Sequence, residues 1–166
     1  MTALASELEA KAREALAVCE RAKVMVATAE SCTGGLIAAA LTAIPGSSSV
    51  VERGFVTYSN AAKIELLRVP EALLQQFGAV SHNVALAMAE GALARSKADA
   101  TVAVTGIAGP SGGTLEKPVG LVHIVAAYRG RPALHERHIF PGDRDAIRLA
   151  SALAAMDLLL RRVREG

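Results

Sequence analysis

Apolar positions recur along this chain in two periods, and the switches between them mark its elements. Over residues 4–20, Leu4, Leu8, Ala12, Leu16 and Cys19 sit at helical spacing between charges, which predicts a helix packed on one face. Residues 24–29 are a short apolar run, the pattern of a buried strand, and end at Glu30-Ser31-Cys32-Thr33-Gly34-Gly35. An alanine-rich helix over 36–44 follows and is closed by Pro45-Gly46. Residues 50–58 carry the β-branched and aromatic side chains of a strand. Asn60 reads as the cap of a helix over 61–68, and Pro70 restarts a short helix over 71–77 that Gly78 ends. Ser81 or Asn83 could cap the next helix, to about residue 97. A second buried strand, 100–105, runs into Gly106-Ile107-Ala108-Gly109-Pro110-Ser111-Gly112-Gly113. Strands 120–127 and 133–140 are too close for a crossover helix and predict a hairpin. Asp143 caps a final helix over 144–164.

Strands separated by helices pair in parallel, and the hairpin adds antiparallel pairs. The order therefore predicts an α/β fold with three α/β/α layers around a mixed, mainly parallel sheet. The 166 residues suit one domain over the whole chain, 1–166. Composition sharpens this. Apolar residues make up 52% but aromatics only 3%, so Ala, Val, Leu and Ile must build the core. The net charge of +2 and the scarcity of aromatics argue against a nucleic-acid partner. No apolar run reaches the roughly 20 residues of a membrane span, and the N-terminus reads as a helix and not a signal peptide. The expectation is a soluble, cytoplasmic protein. The two cysteines, Cys19 and Cys32, make neither a disulfide framework nor a metal site.

The candidate chemistry lies where strands end. Both glycine-rich segments, 30–35 and 105–113, leave the C-terminal ends of strands, where open α/β sheets bind ligands. A Gly-rich turn before a helix offers free N–H groups and a favourable dipole to phosphate. Thr33 is the expected cap there, and the Ser31 and Thr33 hydroxyls could add hydrogen bonds. Glu30 would repel phosphate, so it is expected on ribose hydroxyls or loop amides. The segments match neither the P-loop nor the G-x-G-x-x-G pattern. Between them, Ser47-Ser48-Ser49, Tyr58 and Lys63 allow a serine–lysine pair. The helix dipole and burial would both lower the Lys63 pKa. Cys32 has no histidine near it in sequence. His135 and His138 point to opposite faces of a strand, His82 and His123 stand isolated in sequence, and no metal or cofactor is expected. Arg144 and Arg148 share a helix face, as solvated surface or as a phosphate contact.

The stretches Ala29-Glu-Ser-Cys-Thr-Gly-Gly35, Pro45-Gly-Ser-Ser48, Tyr58-Ser-Asn-Ala-Ala-Lys63, Gly78-Ala-Val-Ser81, Val104-Thr-Gly-Ile-Ala-Gly-Pro110 and Lys117-Pro-Val-Gly120 resemble the CinA C-terminal domain family over residues 5–162. The chain looks like the stand-alone version, without the family's optional N-terminal domain. The resemblance implies an amidohydrolase that converts nicotinamide mononucleotide and water to nicotinate mononucleotide and ammonia. It puts the catalytic serine on Ser48, the lysine on Lys63 and the tyrosine on Tyr58, with Ser47 beside them and an oxyanion site near 46–49. It puts nucleotide contacts on Glu30, Ser31, Cys32, Thr33 and Gly34, and on Thr105, Gly106, Ala108, Gly109, Gly112 and Gly113, with Arg144 as a further substrate contact. The serine run leaves open which hydroxyl faces the lysine. A non-catalytic nucleotide-binding or regulatory module is the alternative; a phosphatase is disfavoured by the lack of metal carboxylates. The alanine-rich helices could pack inside the chain or against a second copy, a homodimer.

Overall fold

A computed structural model describes residues 3–165, with the side chains of Ala3, Leu4 and Ala5 outside the described set. Helix α1 spans Ala3–Ala22, strand β1 Val26–Glu30 and helix α2 Leu36–Thr42. A 3-10 turn, Ser47–Ser49, leads into β2, Val51–Val56. Helices α3 (Asn60–Leu67), α4 (Glu71–Phe77) and α5 (His82–Ala94) follow. Strands β3 (Ala100–Gly106), β4 (Leu121–Tyr128) and β5 (Arg131–Ile139) precede helix α6, Arg144–Arg164.

The sheet order is β2-β1-β3-β4-β5. The pairs β2–β1 and β1–β3 are parallel, whereas β3–β4 and β4–β5 are antiparallel. Only β4 runs against the others. Strand alternation sends side chains into two cores. Val102, Val104, Val122 and Ile124 pack with α1, α2 and α6. Ala29, Ala103, Val125 and Ala127 pack with α3, α4 and α5. The predicted three layers follow. With so few aromatic rings, backbones approach closely. A Cβ on Gly91 of α5 would collide with the Leu67 carbonyl at the end of α3.

Three local expectations are corrected, and two open alternatives are resolved. Ser59, not Asn60, caps α3, its side chain accepting from the Ala62 N–H at 3.0 Å. Helix α5 stops at Ala94, three residues short of the expected end, and Ser96 Oγ turns back to donate to the Ala92 carbonyl. Of the two candidate caps for α5, Ser81 fills the role. Thr33 does not cap α2. Its hydroxyl is buried without a partner among the described residues, and Gly34 and Gly35 pass through left-handed backbone that L side chains resist. The Glu30 carboxylate does the capping instead, accepting from the Ile37 and Ala38 N–H groups at 2.9 and 3.0 Å. Of the two expectations for Glu30, loop amides are what it bonds.

Candidate active site

Three strand ends build the site. Ser31 follows β1, and its N–H continues the ladder onto the Val104 carbonyl of β3. Thr57 follows β2 and donates its N–H to the Glu30 carbonyl. These bonds fix the turn that carries Ser31 and the turn that carries Tyr58 against each other. Helix α3 then returns Lys63 beneath both.

Lys63 is 1% exposed, the largest fully buried side chain among the described residues. Its Nζ lies 2.9 Å from Ser31 Oγ, 2.9 Å from the Thr57 carbonyl and 3.3 Å from the Tyr58 carbonyl. Burial pushes its pKa down to about 8. The neighbouring Cys32 thiol is itself pushed up to about 11 by burial, so it is neutral at pH 7 and supplies no counter-charge. A neutral lysine has two N–H donors and one lone pair. The two carbonyls take the donors, which leaves the lone pair for the Ser31 hydroxyl.

This geometry does not bring Ser48 to Lys63. Val51 of β2 pairs with Val26 at the start of β1, and Val56 pairs with Glu30 at its end. The turn Ser47–Ser49 therefore sits at the opposite end of the strands, roughly 15–20 Å away along β2. It is lodged against α1, where Ser49 Oγ donates to the Gly46 carbonyl and lies 3.4 Å from Glu20 Oε1. Ser48 is solvent-exposed there. Ser47 and the expected oxyanion site at 46–49 are displaced with it.

The Tyr58 phenol, 62% exposed, faces away from Lys63 and lies 3.1 Å from Arg144 Nη2. Arg144 Nη1 donates to the Gly109 carbonyl at 2.7 Å. One turn along α6, Arg148 donates to the Cys32 and Thr33 carbonyls at 3.1 and 3.0 Å. The start of α6 thus clamps both glycine segments, one arginine to each.

The cleft between these parts has a volume of about 230 Å³. Ser31, Cys32, Tyr58, Lys63, Thr105, Gly106, Ala108 and Arg144 all line it. Glu30, Thr33 and Gly34 support the turn from behind. Gly109 is tied to Arg144 on the outer part of the second loop, and Gly113 packs on Val119. Asn60, Ala79 and Val80 complete the lining and were not anticipated as site residues. Asn60 lies one helical turn before Lys63, a spacing that could have revealed it. A larger groove of about 550 Å³ lies between α3, α4 and α5, but its lining is largely apolar (Leu67, Pro70, Leu73, Ala87), with Arg68, Glu90 and Arg95 beside it, and offers no hydroxyl, thiol or lysine amine.

Among the described residues, no group of three or more His, Cys, Asp or Glu side chains could hold a metal ion. No helix among the described residues is long and apolar enough to cross a membrane. The histidines did not fall as their sequence separation suggested. His82, His123 and His135 come together on the α5 face of the hairpin.

The sequence profile of the CinA C-terminal domain matches residues 8–163. The chain belongs to this family. A CinA-like protein of Akkermansia muciniphila is 52% identical over 155 residues, covering 92% of this chain and 37% of that protein. The chain thus spans about a third of the length of its longer CinA relatives. A shorter relative, nicotinamide-nucleotide amidohydrolase PncC of Enterobacter agglomerans, is 54% identical, covering 82% of this chain and 83% of that one. The crystal structure of the competence/damage inducible protein CihA from Agrobacterium tumefaciens superposes with a TM-score of 0.91 at 52% identity, over 93% of this chain and 94% of that chain. The CinA fold is therefore shared along nearly the whole chain.

Proposed function

We propose that this CinA-family chain is a nicotinamide-nucleotide amidohydrolase working through a Ser31–Lys63 acyl-enzyme. The observation that carries the reading is the buried Lys63 Nζ, 2.9 Å from Ser31 Oγ at the floor of an open cleft. Relatives of similar length in Enterobacter agglomerans and Pseudomonas putida, 54% and 52% identical, bear the name of that activity. A purely binding module would gain nothing from burying a lysine amine, which costs stability.

The chemistry is acyl transfer. The neutral Lys63 amine takes the Ser31 proton as Oγ bonds to the carboxamide carbon. The oxygen of the tetrahedral intermediate needs donors, and the N–H groups of Cys32 and Thr33, next along the turn, are the ones suited to supply them. Lys63 then gives its proton to the nitrogen, the C–N bond breaks and ammonia leaves. Water attacks the nicotinoyl ester, its proton passes to Lys63 and on to Ser31 Oγ, and the carboxylate is released. The cleft suits a pyridine ring with part of a ribose. The phosphate then falls at the rim, where Arg144 and the backbone of Gly106 and Ala108 supply positive charge and donors. Tyr58 acts through its carbonyl on Lys63 and through its phenol on Arg144.

The test is ammonia release from nicotinamide mononucleotide in the presence of EDTA. Turnover is expected in the wild type and in Ser48→Ala. A loss of at least a thousandfold is expected in Ser31→Ala and in Lys63→Ala. Full activity in Ser31→Ala with none in Ser48→Ala would return the nucleophile to the 3-10 turn. No turnover by folded wild-type protein would refute the function itself.

A further inference from the structure

Three histidines from three elements meet beside the cleft. Val125 pairs with His135 and His123 with Arg137, so His123, His135 and Arg137 project from one face of the β4–β5 hairpin. His123 Nδ1 lies 2.9 Å from His135 Nε2. His82, the first residue of α5, stacks on His135 with ring centroids 3.8 Å apart and planes within 10°. His82 directly follows the segment that walls the cleft. Within that segment Ala79 and Val80 line the cavity, the Ala79 carbonyl accepts from Thr105 Oγ1, and the Phe77 carbonyl accepts from Lys117 Nζ.

We propose that the His82–His135–His123 stack is a positioning element that holds the Ala79–Val80 wall against the sheet while its rings are neutral and releases that wall when the stack gains protons. Imidazoles at stacking distance tolerate one charge poorly and two worse, because like charges so close repel. The groups around the stack add to this. Lys117 from the preceding loop and Arg137 from β5 are both cationic neighbours of His123. The carboxylate next along β5, Glu136, raises His135 only weakly, since it projects from the opposite face and is shared there with His138 and Arg161. Burial, then the charges of His135, Arg137, His82 and Lys117, push His123 down to about 4. His135 is lowered as well, by burial and then by His82. Protons are therefore bound more weakly by the closed arrangement than by an opened one, and acid shifts the population toward opening. The consequence for substrate rests on the proposed amidohydrolase reading: KM should rise in acid through the wall, whereas kcat should follow Lys63.

The experiment is a pH titration of the whole chain from 7.5 to 5, followed by backbone amide and imidazole NMR, with KM and kcat for nicotinamide mononucleotide measured alongside. In the wild type the Ala79, Val80 and Thr105 amides are expected to move with the histidine midpoint, and KM to rise at least fivefold by pH 5.5. His135→Phe keeps a ring in the stack but cannot titrate. It is expected to abolish the amide movement and to flatten KM across the same range. His82→Phe makes the same comparison from the helix side should His135→Phe fail to fold. His82→Ala, which removes the anchor, is expected to raise KM already at pH 7.5. Amides of Ala79 and Val80 that stay still in the wild type, or that move equally in the phenylalanine variant, would overturn the proposal. The NMR arm decides even if the chain hydrolyses nothing, so failure of the stack and failure of the amidohydrolase reading are separate results.

Discussion

At the residue scale, Lys63 sets the pH dependence of the proposed reaction. The amine must be neutral to accept the Ser31 proton, and burial lowers its pKa to about 8. Below that value each unit of acid removes about nine-tenths of the competent enzyme. The logarithm of kcat/KM is therefore expected to climb with unit slope from about pH 6.5, above the range in which the histidine stack titrates, to about pH 8 and then level off. A profile already flat between pH 6 and 8 would mean that Lys63 is not the base. Arg144 offers a second residue-level test. Two of its N–H groups already serve Tyr58 and Gly109, and the remaining donors face the rim. Arg144→Ala is expected to raise KM for the mononucleotide roughly 10- to 100-fold, about 1.4–3 kcal/mol of lost charge-assisted bonding. KM for the uncharged riboside should change much less, and equal losses for both would place the phosphate elsewhere. These residues also mark the limit of sequence reading. The residue types at Ser48, Tyr58 and Lys63 allowed a serine–lysine pair, and sequence proximity pointed to Ser48 as its serine. Yet Ser48 is 15 residues from Lys63 in sequence and an entire strand away in space. Ser31, 32 residues distant, is in contact because β1 and β2 are parallel and end together. The readable signal was local: a serine at the sharp turn between a strand and a helix, where nucleophiles are commonly presented.

At the element scale, periodicity located every helix and strand, because each buries a face and the burial pattern has the period of the element. Caps and ends were less legible. They depend on which of several polar side chains reaches a free N–H, and Ser59, Ser81 and Glu30 each had a neighbour of equal chemical merit. Glu30 is the most consequential. Its carboxylate, buried beneath the Ser31 turn, holds the first turn of α2 by two backbone N–H groups. Glu30→Gln keeps the shape but replaces one acceptor with a donor facing a donor. A stability loss of about 1–3 kcal/mol is expected, read as a lowered urea midpoint, with a drop in kcat as the Ser31 turn loosens. The contact between α3 and α5 gives the second element-level test. An added Cβ in Gly91→Ala would strike the Leu67 carbonyl and drive α3 outward, and Lys63 rides on α3. The expected result is a destabilisation of about 1–3 kcal/mol together with a loss in kcat/KM larger than the stability change explains. Unchanged activity in a folded Gly91→Ala protein would mean that Lys63 tolerates movement of its helix.

At the scale of the whole molecule, the buried titratable groups combine into one stability profile. His123 stays neutral in the fold until about pH 4, whereas an unfolded histidine takes up its proton near 6.5. Between those values the unfolded chain binds more protons, so stability falls as pH drops from 6.5 toward 4, by roughly 3 kcal/mol at most. Lys63 has the same sign higher up. Its amine deprotonates near pH 8 in the fold and near 10.5 when unfolded, so stability rises with pH once 8 is passed. Cys19 and Cys32 oppose it. Burial raises both thiols to about 11 from an unfolded value of 9.0, and above pH 9 the folded chain therefore holds two protons that the unfolded chain has released. One lysine gaining against two cysteines losing turns the slope over near pH 9. The expected curve climbs from pH 4 to 6.5, then rises by only about 0.5 kcal/mol to a shallow maximum near 9, because the cysteines offset most of the lysine gain, and then declines. Urea midpoints at half-unit intervals would trace it. His123→Phe should remove the acid climb and leave the alkaline maximum, and Lys63→Met should remove the rise between 8 and 9 and leave the acid limb. The second variant also separates cost from use, since the amine that makes the fold less stable at pH 7 is the one the proposed chemistry requires. A maximum that stays near pH 9 in Lys63→Met would show that the buried lysine is not what shapes the alkaline side.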